Sequence, residues 1–122
     1  MRFRLPMPPN LTNRRSGGSH WAIIHREKKQ YQAHLDLLLA GGILPAPPPV
    51  PMAKATIHST MTLGGAMDDD NAMARHKVAI DWLATRGYIA SDRKTCLRWA
   101  GLPEQRVSRK NEPCLELVLE AA

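Results

Sequence analysis

The stretch Gly64-Gly65-Ala66-Met67-Asp68-Asp69-Asp70-Asn71 separates two patterns and decides how this chain folds. Before it, Met52 to Thr62 alternates. Ala53, Ala55, Ile57, Ser59 and Met61 fall on one side, and Lys54, Thr56, His58 and Thr60 fall on the other, which is the period of a strand. After it, Ala72 to Arg86 places Val78, Ala79, Ile80, Trp82 and Leu83 on a buried stripe and predicts one helix stopped by Gly87. The glycine pair delivers the chain into three consecutive acids, whose repulsion must be relieved by a cation, a helix N-terminus or open solvent. A further acid, Asp92, follows the helix stop, so carboxylates flank one helix-length segment.

Working outward toward the N-terminus, Arg2-Phe3-Arg4-Leu5 alternates as a short half-buried strand closed by Pro6, Pro8 and Pro9. Asn10 to His20 reads as a loop carrying Asn13-Arg14-Arg15 and Ser16-Gly17-Gly18. Arg26 to Leu39 predicts an amphipathic helix, with Tyr31, Leu35, Leu38 and Leu39 on one stripe and Gly41-Gly42 at its end. Pro45 to Pro51 predicts a stiff connector, with a recognition motif for a partner domain as the other reading. Toward the C-terminus, Thr95 to Ala100 and Cys114 to Glu120 predict an antiparallel pair joined by a basic loop with Arg106, Arg109 and Lys110. That pairing would bring Cys96 near Cys114. The order strand, helix, strand, helix, strand, strand predicts a single α+β domain over residues 1–122, with a small mixed sheet and two main helices.

The chain is strongly basic, at net charge +6 over 122 residues, so its expected partner is a polyanion, with nucleic acid ahead of an anionic membrane. No apolar run approaches the roughly 20 residues of a spanning helix. The N-terminus runs into prolines, and the two cysteines lack metal-site spacing, so a cytoplasmic protein with reduced thiols is expected. The DNA-binding surface is expected to include Asn13, Arg14, Arg15, Arg26, Lys28, Lys29, Arg75, Arg106, Arg109 and Lys110.

Magnesium takes hard oxygen ligands and keeps several waters, so one or two carboxylates per ion suffice. In an extended segment Asp68 and Asp70 would point to one side, about 6.6 Å apart, with Asp69 turned away. Asp70 or Asn71 could also cap the helix. A 15-residue helix is about 22 Å long, so Asp92 meets the acidic end only if the chain after Gly87 runs back along the helix. Lys77 and Asp81, four apart, either pair on the helix surface or place a lysine where it can stabilise charge on a phosphate. From these features alone a metal-dependent nuclease and a plain nucleic-acid-binding module both stand.

The ordered set Asp68-x-Asp70-Asn71, Lys77, Asp81, Leu83, Gly87 and Asp92 resembles the RusA family of Holliday junction resolvases, often carried by phages and prophages. Leu5-Pro6-Met7-Pro8-Pro9 followed by Asn13-Arg14, and Tyr31 in the first helix, extend the resemblance over nearly the whole chain. It implies a homodimeric, magnesium-dependent endonuclease, with manganese as a substitute ion, that cuts four-way DNA junctions by paired nicks in a bacterial host cell. The metal ligands implied are Asp68, Asp70 and Asp92, with Lys77 as the catalytic lysine. Extra sequence of nearly one helical turn between Asn71 and Lys77 makes Arg75 an alternative for that basic role. Alternatives within reach of the same features are a flap or branched-DNA nuclease and a non-catalytic prophage DNA-binding protein.

Overall fold

A computed structural model describes residues 1–11 and 20–122. In chain order the elements are β1 (Arg2–Pro6), α1 (His20–Ala40), β2 (Ala55–Leu63), α2 (Asp69–Arg75), α3 (Lys77–Thr85), β3 (Leu97–Trp99), β4 (Glu104–Val107) and β5 (Cys114–Ala121). The domain is α+β with a mixed sheet, as its sequence order predicts, and β4, within the expected basic loop, brings the sheet to five strands.

β2 is the axis of the sheet. One edge pairs antiparallel with β5, which pairs antiparallel with β1 beyond it. The other edge is shared by two short parallel strands, β3 along Ala55–Ile57 and β4 along Thr60–Leu63. The expected antiparallel pair between the third and last strands therefore does not form. The apolar β5 is wanted between β1 and β2, where both of its edges are satisfied. Cys96 and Cys114 consequently lie toward opposite ends of β2 and on its two different edges, as free thiols.

The register aligns the buried rows. Phe3, Leu117 and Ser59 stand side by side, as do Leu5, Leu115 and Met61. Against this face pack Tyr31 and Leu35 of α1 and Val78, Ala79, Ile80, Trp82 and Leu83 of α3. Residues on the opposite face, such as Arg4, Glu116 and Thr56, retain solvent contact, although Thr60 and Thr62 are buried. Met52 lies outside β2 and makes a single parallel bridge to Ile89.

α1 begins at His20, six residues before the expected start, because nothing from Trp21 to Ala40 is a glycine or proline. It ends with Gly42 at φ 76°, where Ile43 N–H returns to Leu38 O and Gly42 N–H to Leu39 O. This is the left-handed C-terminal turn that only glycine adopts without strain. The same device closes α3: Gly87 has φ 85°, Tyr88 N–H donates to Leu83 O and Gly87 N–H to Ala84 O. The chain is thereby turned back, and buried Tyr88 and Ile89 hold the return against the core. Tyr88 packs edge-on to Phe3 and its hydroxyl donates to Pro45 O, which anchors the proline-rich connector.

The single helix expected over Ala72–Arg86 is two helices with a break at His76. The break has a chemical cause. His76 is fully buried, its Nδ1–H donates to Ala72 O (2.7 Å), and its backbone N–H donates to Met73 O instead. Because a carbonyl only accepts, Nδ1 carries the proton and the bare Nε2 accepts from the Ser59 hydroxyl (2.6 Å). Trp99 lies edge-on against the ring.

Burial holds the His76 imidazole below its ordinary pKa, with Arg75 adding to the effect. The unfolded chain then binds a proton near pH 6.5 that the folded chain refuses, so stability falls as pH drops below about 6.5. Urea unfolding at pH 7.5 and pH 5.5 should show a lower midpoint at the acidic value, and His76→Gln should flatten that difference. An equal pH effect in the variant would assign it to another group.

Candidate functional site

α1 is fastened to β1 and to the α3 segment. Tyr31 donates to Pro6 O of β1 (2.7 Å), Gln32 donates to Val78 O of α3 (3.2 Å), and Asp36 accepts both Arg86, just past α3, and the Trp82 indole N–H. Burial pushes the Tyr31 phenol well above its ordinary value, so it stays a donor. The paired Arg86 guanidinium holds the Asp36 carboxyl below the usual carboxylate range.

At the start of α3 this fastening becomes a charged chain. Lys28 Nζ lies 3.1 Å from Asp81 Oδ2, Lys77 Nζ lies 3.0 Å from Asp81 Oδ1, and Lys77 Nζ lies 2.5 Å from Asp92 Oδ2. Asp92 reaches Lys77 because the Gly87 turn sends residues 88–92 back along α3, and the partner it meets there is Lys77 rather than Asp68 or Asp70. Asp92, then Asp81, hold the Lys77 ammonium above its ordinary pKa, and Lys77 holds Asp92 below its own. The lysine is a surface partner of Asp81 and also faces the implied site residue Asp92.

The acidic turn is placed differently from the extended segment expected. Only Asp68 is extended (φ −61°, ψ 148°), standing at the N-cap without a side-chain capping bond, while Asp69 and Asp70 occupy the first turn of α2. Residues two apart on a helix diverge by about 200°, so Asp68 and Asp70 are not paired by strand geometry. The helix dipole instead relieves the acidic repulsion at the N-terminus. Asp70 Oδ1 accepts Asn71 N–H, and neither Asp70 nor Asn71 is the cap residue. Met67, just before the turn, is held by β4: its N–H and C=O both bond the Gln105 amide.

Among the described residues Asp68, Asp69 and Asp70 are exposed and make no ion pair. No group of three or more His, Cys, Asp or Glu side chains is gathered closely enough to hold a metal among those residues. The donor type fits a hard divalent ion: exposed carboxylate oxygens at Asp68 and Asp70. Asp92, the third carboxylate, is engaged by Lys77.

Arg75 points elsewhere. Its Nε–H donates to Pro8 O (2.8 Å) and its guanidinium approaches Met67 Sδ, so it braces the N-terminal segment, and Lys77 is the base beside Asp92. Arg26 and Lys29 are exposed on α1, and Lys28 is tied to Asp81. Arg106 lies on β4 and lines a cavity with Arg4 and Glu116 on the open side of the sheet; Arg109 and Lys110 follow, exposed. Of the residues expected to bind DNA, Arg26, Lys28 and Lys29 thus lie on α1, and Arg106, Arg109 and Lys110 lie on or just after β4. Asn13, Arg14 and Arg15 lie outside the described residues.

A groove of about 460 Å³ runs beside the charged chain, with Pro9, Leu11, Ile24 and Val78 on its apolar side and Lys28 and Lys77 on its rim. The four-residue spacing predicts the Lys77–Asp81 pair, but it carries no signal that Asp81 also bridges to Lys28 on α1. Buried His76 carried no periodic signal at all. Among the described residues no helix is long and apolar enough to cross a membrane. Comparison with protein-family models and with curated proteins gives no match.

Proposed function

We propose that this chain is a magnesium-dependent DNA endonuclease of the RusA type, which resolves four-way junctions by paired phosphodiester cleavage. The observation that carries the reading is the return of Asp92 onto Lys77, which joins three members of the motif, Lys77, Asp81 and Asp92, in one network beside α2. The net charge of +6 supports a polyanionic substrate.

Asp68 and Asp70 would hold the ion, with Asp92 as the third ligand. Magnesium supplies an activated water and charge neutralisation at the phosphate when it is held there. Lys77 stays protonated because Asp92 and Asp81 hold its pKa up. Its ammonium exchanges Asp92 for a phosphate oxygen, which frees the carboxylate and places positive charge where negative charge develops. Asp81 keeps that lysine on the α3 side through the exchange, and Lys28 balances Asp81. Two symmetric nicks need two such sites, so the reading carries a homodimer.

The deciding experiment incubates a synthetic four-way junction and a linear duplex of the same sequence with the protein, with and without magnesium. Paired nicks confined to the junction and dependent on magnesium are expected. Binding without cleavage, in manganese as well, would overturn the enzymatic reading in favour of a DNA-binding protein. Junction affinity should also fall steeply as salt rises from 50 to 200 mM, because neutralised phosphates release counterions. A flat salt response would place binding on something other than the phosphate backbone.

A further inference from the structure

Trp21, in the first turn of α1, is 73% exposed, unusual for the largest apolar side chain. One turn on, His25 lies nearly parallel to it, with ring centroids 5.2 Å apart and 9° between planes. The pair therefore presents a flat aromatic step to solvent. Arg26, Lys28 and Lys29 follow on the same helix. Glu27 is the only acid from His20 to Gln32, and it is half-buried. Residues seven apart share a helix flank, so Trp21 lies about 10 Å along α1 from Lys28, on the same flank. Lys28 in turn holds the Lys77–Asp81–Asp92 chain.

We infer that Trp21 and His25 form a stacking platform for an unpaired nucleobase of the DNA substrate, a few nucleotides from the phosphate that Lys77 would meet. Every base has a π-face, so an exposed indole binds any unstacked base, while neighbouring cations neutralise the flanking phosphates. The charge of this helix segment selects the occupant: a nucleic-acid strand is complementary to it, whereas a second copy would bring the same cations against one another. Branched DNA exposes unstacked bases where its strands part, so the platform would favour a branch over a continuous duplex. The inference rests on the DNA-binding part of the proposed function but needs neither metal nor cleavage.

The test titrates the full-length protein, in EDTA, with a short fluorescein-labelled oligothymidine and with an abasic phosphodiester strand of equal length. Fluorescence anisotropy should show the base-bearing strand bound at least about fivefold tighter, the lower end of one base–aromatic stack. Trp21→Ala should remove that preference and leave abasic affinity unchanged, while Trp21→Phe should keep most of it. Circular dichroism should confirm that both variants fold, since this side chain is outside the core. Equal affinity of the native protein for both strands would overturn the platform alone. So would a preference that survives Trp21→Ala, or a loss of dimer by sedimentation in Trp21→Ala with the preference intact, which would make the patch a self-association surface. Failure to bind either strand would overturn the DNA reading itself, and the platform with it.

Discussion

Asp70→Asn is expected to lower magnesium-dependent junction cleavage by about a hundredfold or more while junction binding stays equal or becomes tighter. On the proposed reading the substitution removes the charge of a metal-holding carboxylate while keeping nearly the same shape, and losing one group that supports charge in a transition state costs on the order of 10²–10³ in rate. The fold should not notice. Asp70 is exposed, and its one recorded bond, from Asn71 N–H, is one that an amide oxygen can still accept. Surface changes of this kind are usually within about 0.5 kcal/mol. Binding gains because one carboxylate no longer repels the approaching phosphates. Gel-shift and cleavage assays on one junction separate the two effects. Parallel loss of binding and cleavage would make Asp70 structural, and undiminished cleavage would move the chemistry away from α2.

Trp82→Ala is expected to destabilise the fold by about 3–5 kcal/mol, the range for truncating a buried aromatic to alanine. Trp82 is 1% exposed, packs against Tyr88 at 5.5 Å, and donates its indole N–H to Asp36 at 2.8 Å. Its removal leaves a cavity between α1 and α3 and takes one donor from Asp36, although the two bonds from Arg86 remain. Trp82→Phe fills most of the volume and should recover more than half of the loss. Equilibrium urea unfolding reads both variants. A loss under about 1 kcal/mol for Trp82→Ala would mean that α3 closes over the gap.

The elements that could be read from the sequence are those whose signal is local. The alternation from Ala55 to Met61 located β2, and the glycines at 42 and 87 located two helix ends, because each signal is a property of neighbouring residues. The break at His76 is hidden from local pattern because part of what fixes the ring lies far off in sequence: the Ser59 hydroxyl of β2, seventeen residues away, donates to Nε2 while Nδ1 is bonded to Ala72 O. The partner of β5 was hidden for a similar reason. Alternation shows which side of a strand is apolar, not which edge it joins, and β5 joins β1 and β2 rather than β3. The motif groups Lys77 with Asp92, and the two do touch, whereas strand spacing predicts an extended acidic segment and only Asp68 is extended, with Asp69 and Asp70 in the first turn of a helix. Three acids at a helix N-terminus satisfy both patterns equally, so spacing alone does not choose between them.

The divided edge of β2 has a consequence for how the domain breathes. β5 covers eight residues of β2, whereas β3 and β4 cover three and four. Amides between β2 and β5 should exchange with deuterium only through global unfolding, while those toward β4 exchange through a smaller opening. That opening would release Gln105 from Met67 and loosen the turn that carries Asp68. The domain should thus exchange as a slower antiparallel half and a faster parallel half, with the acidic turn joined to the faster one through Gln105 and Met67.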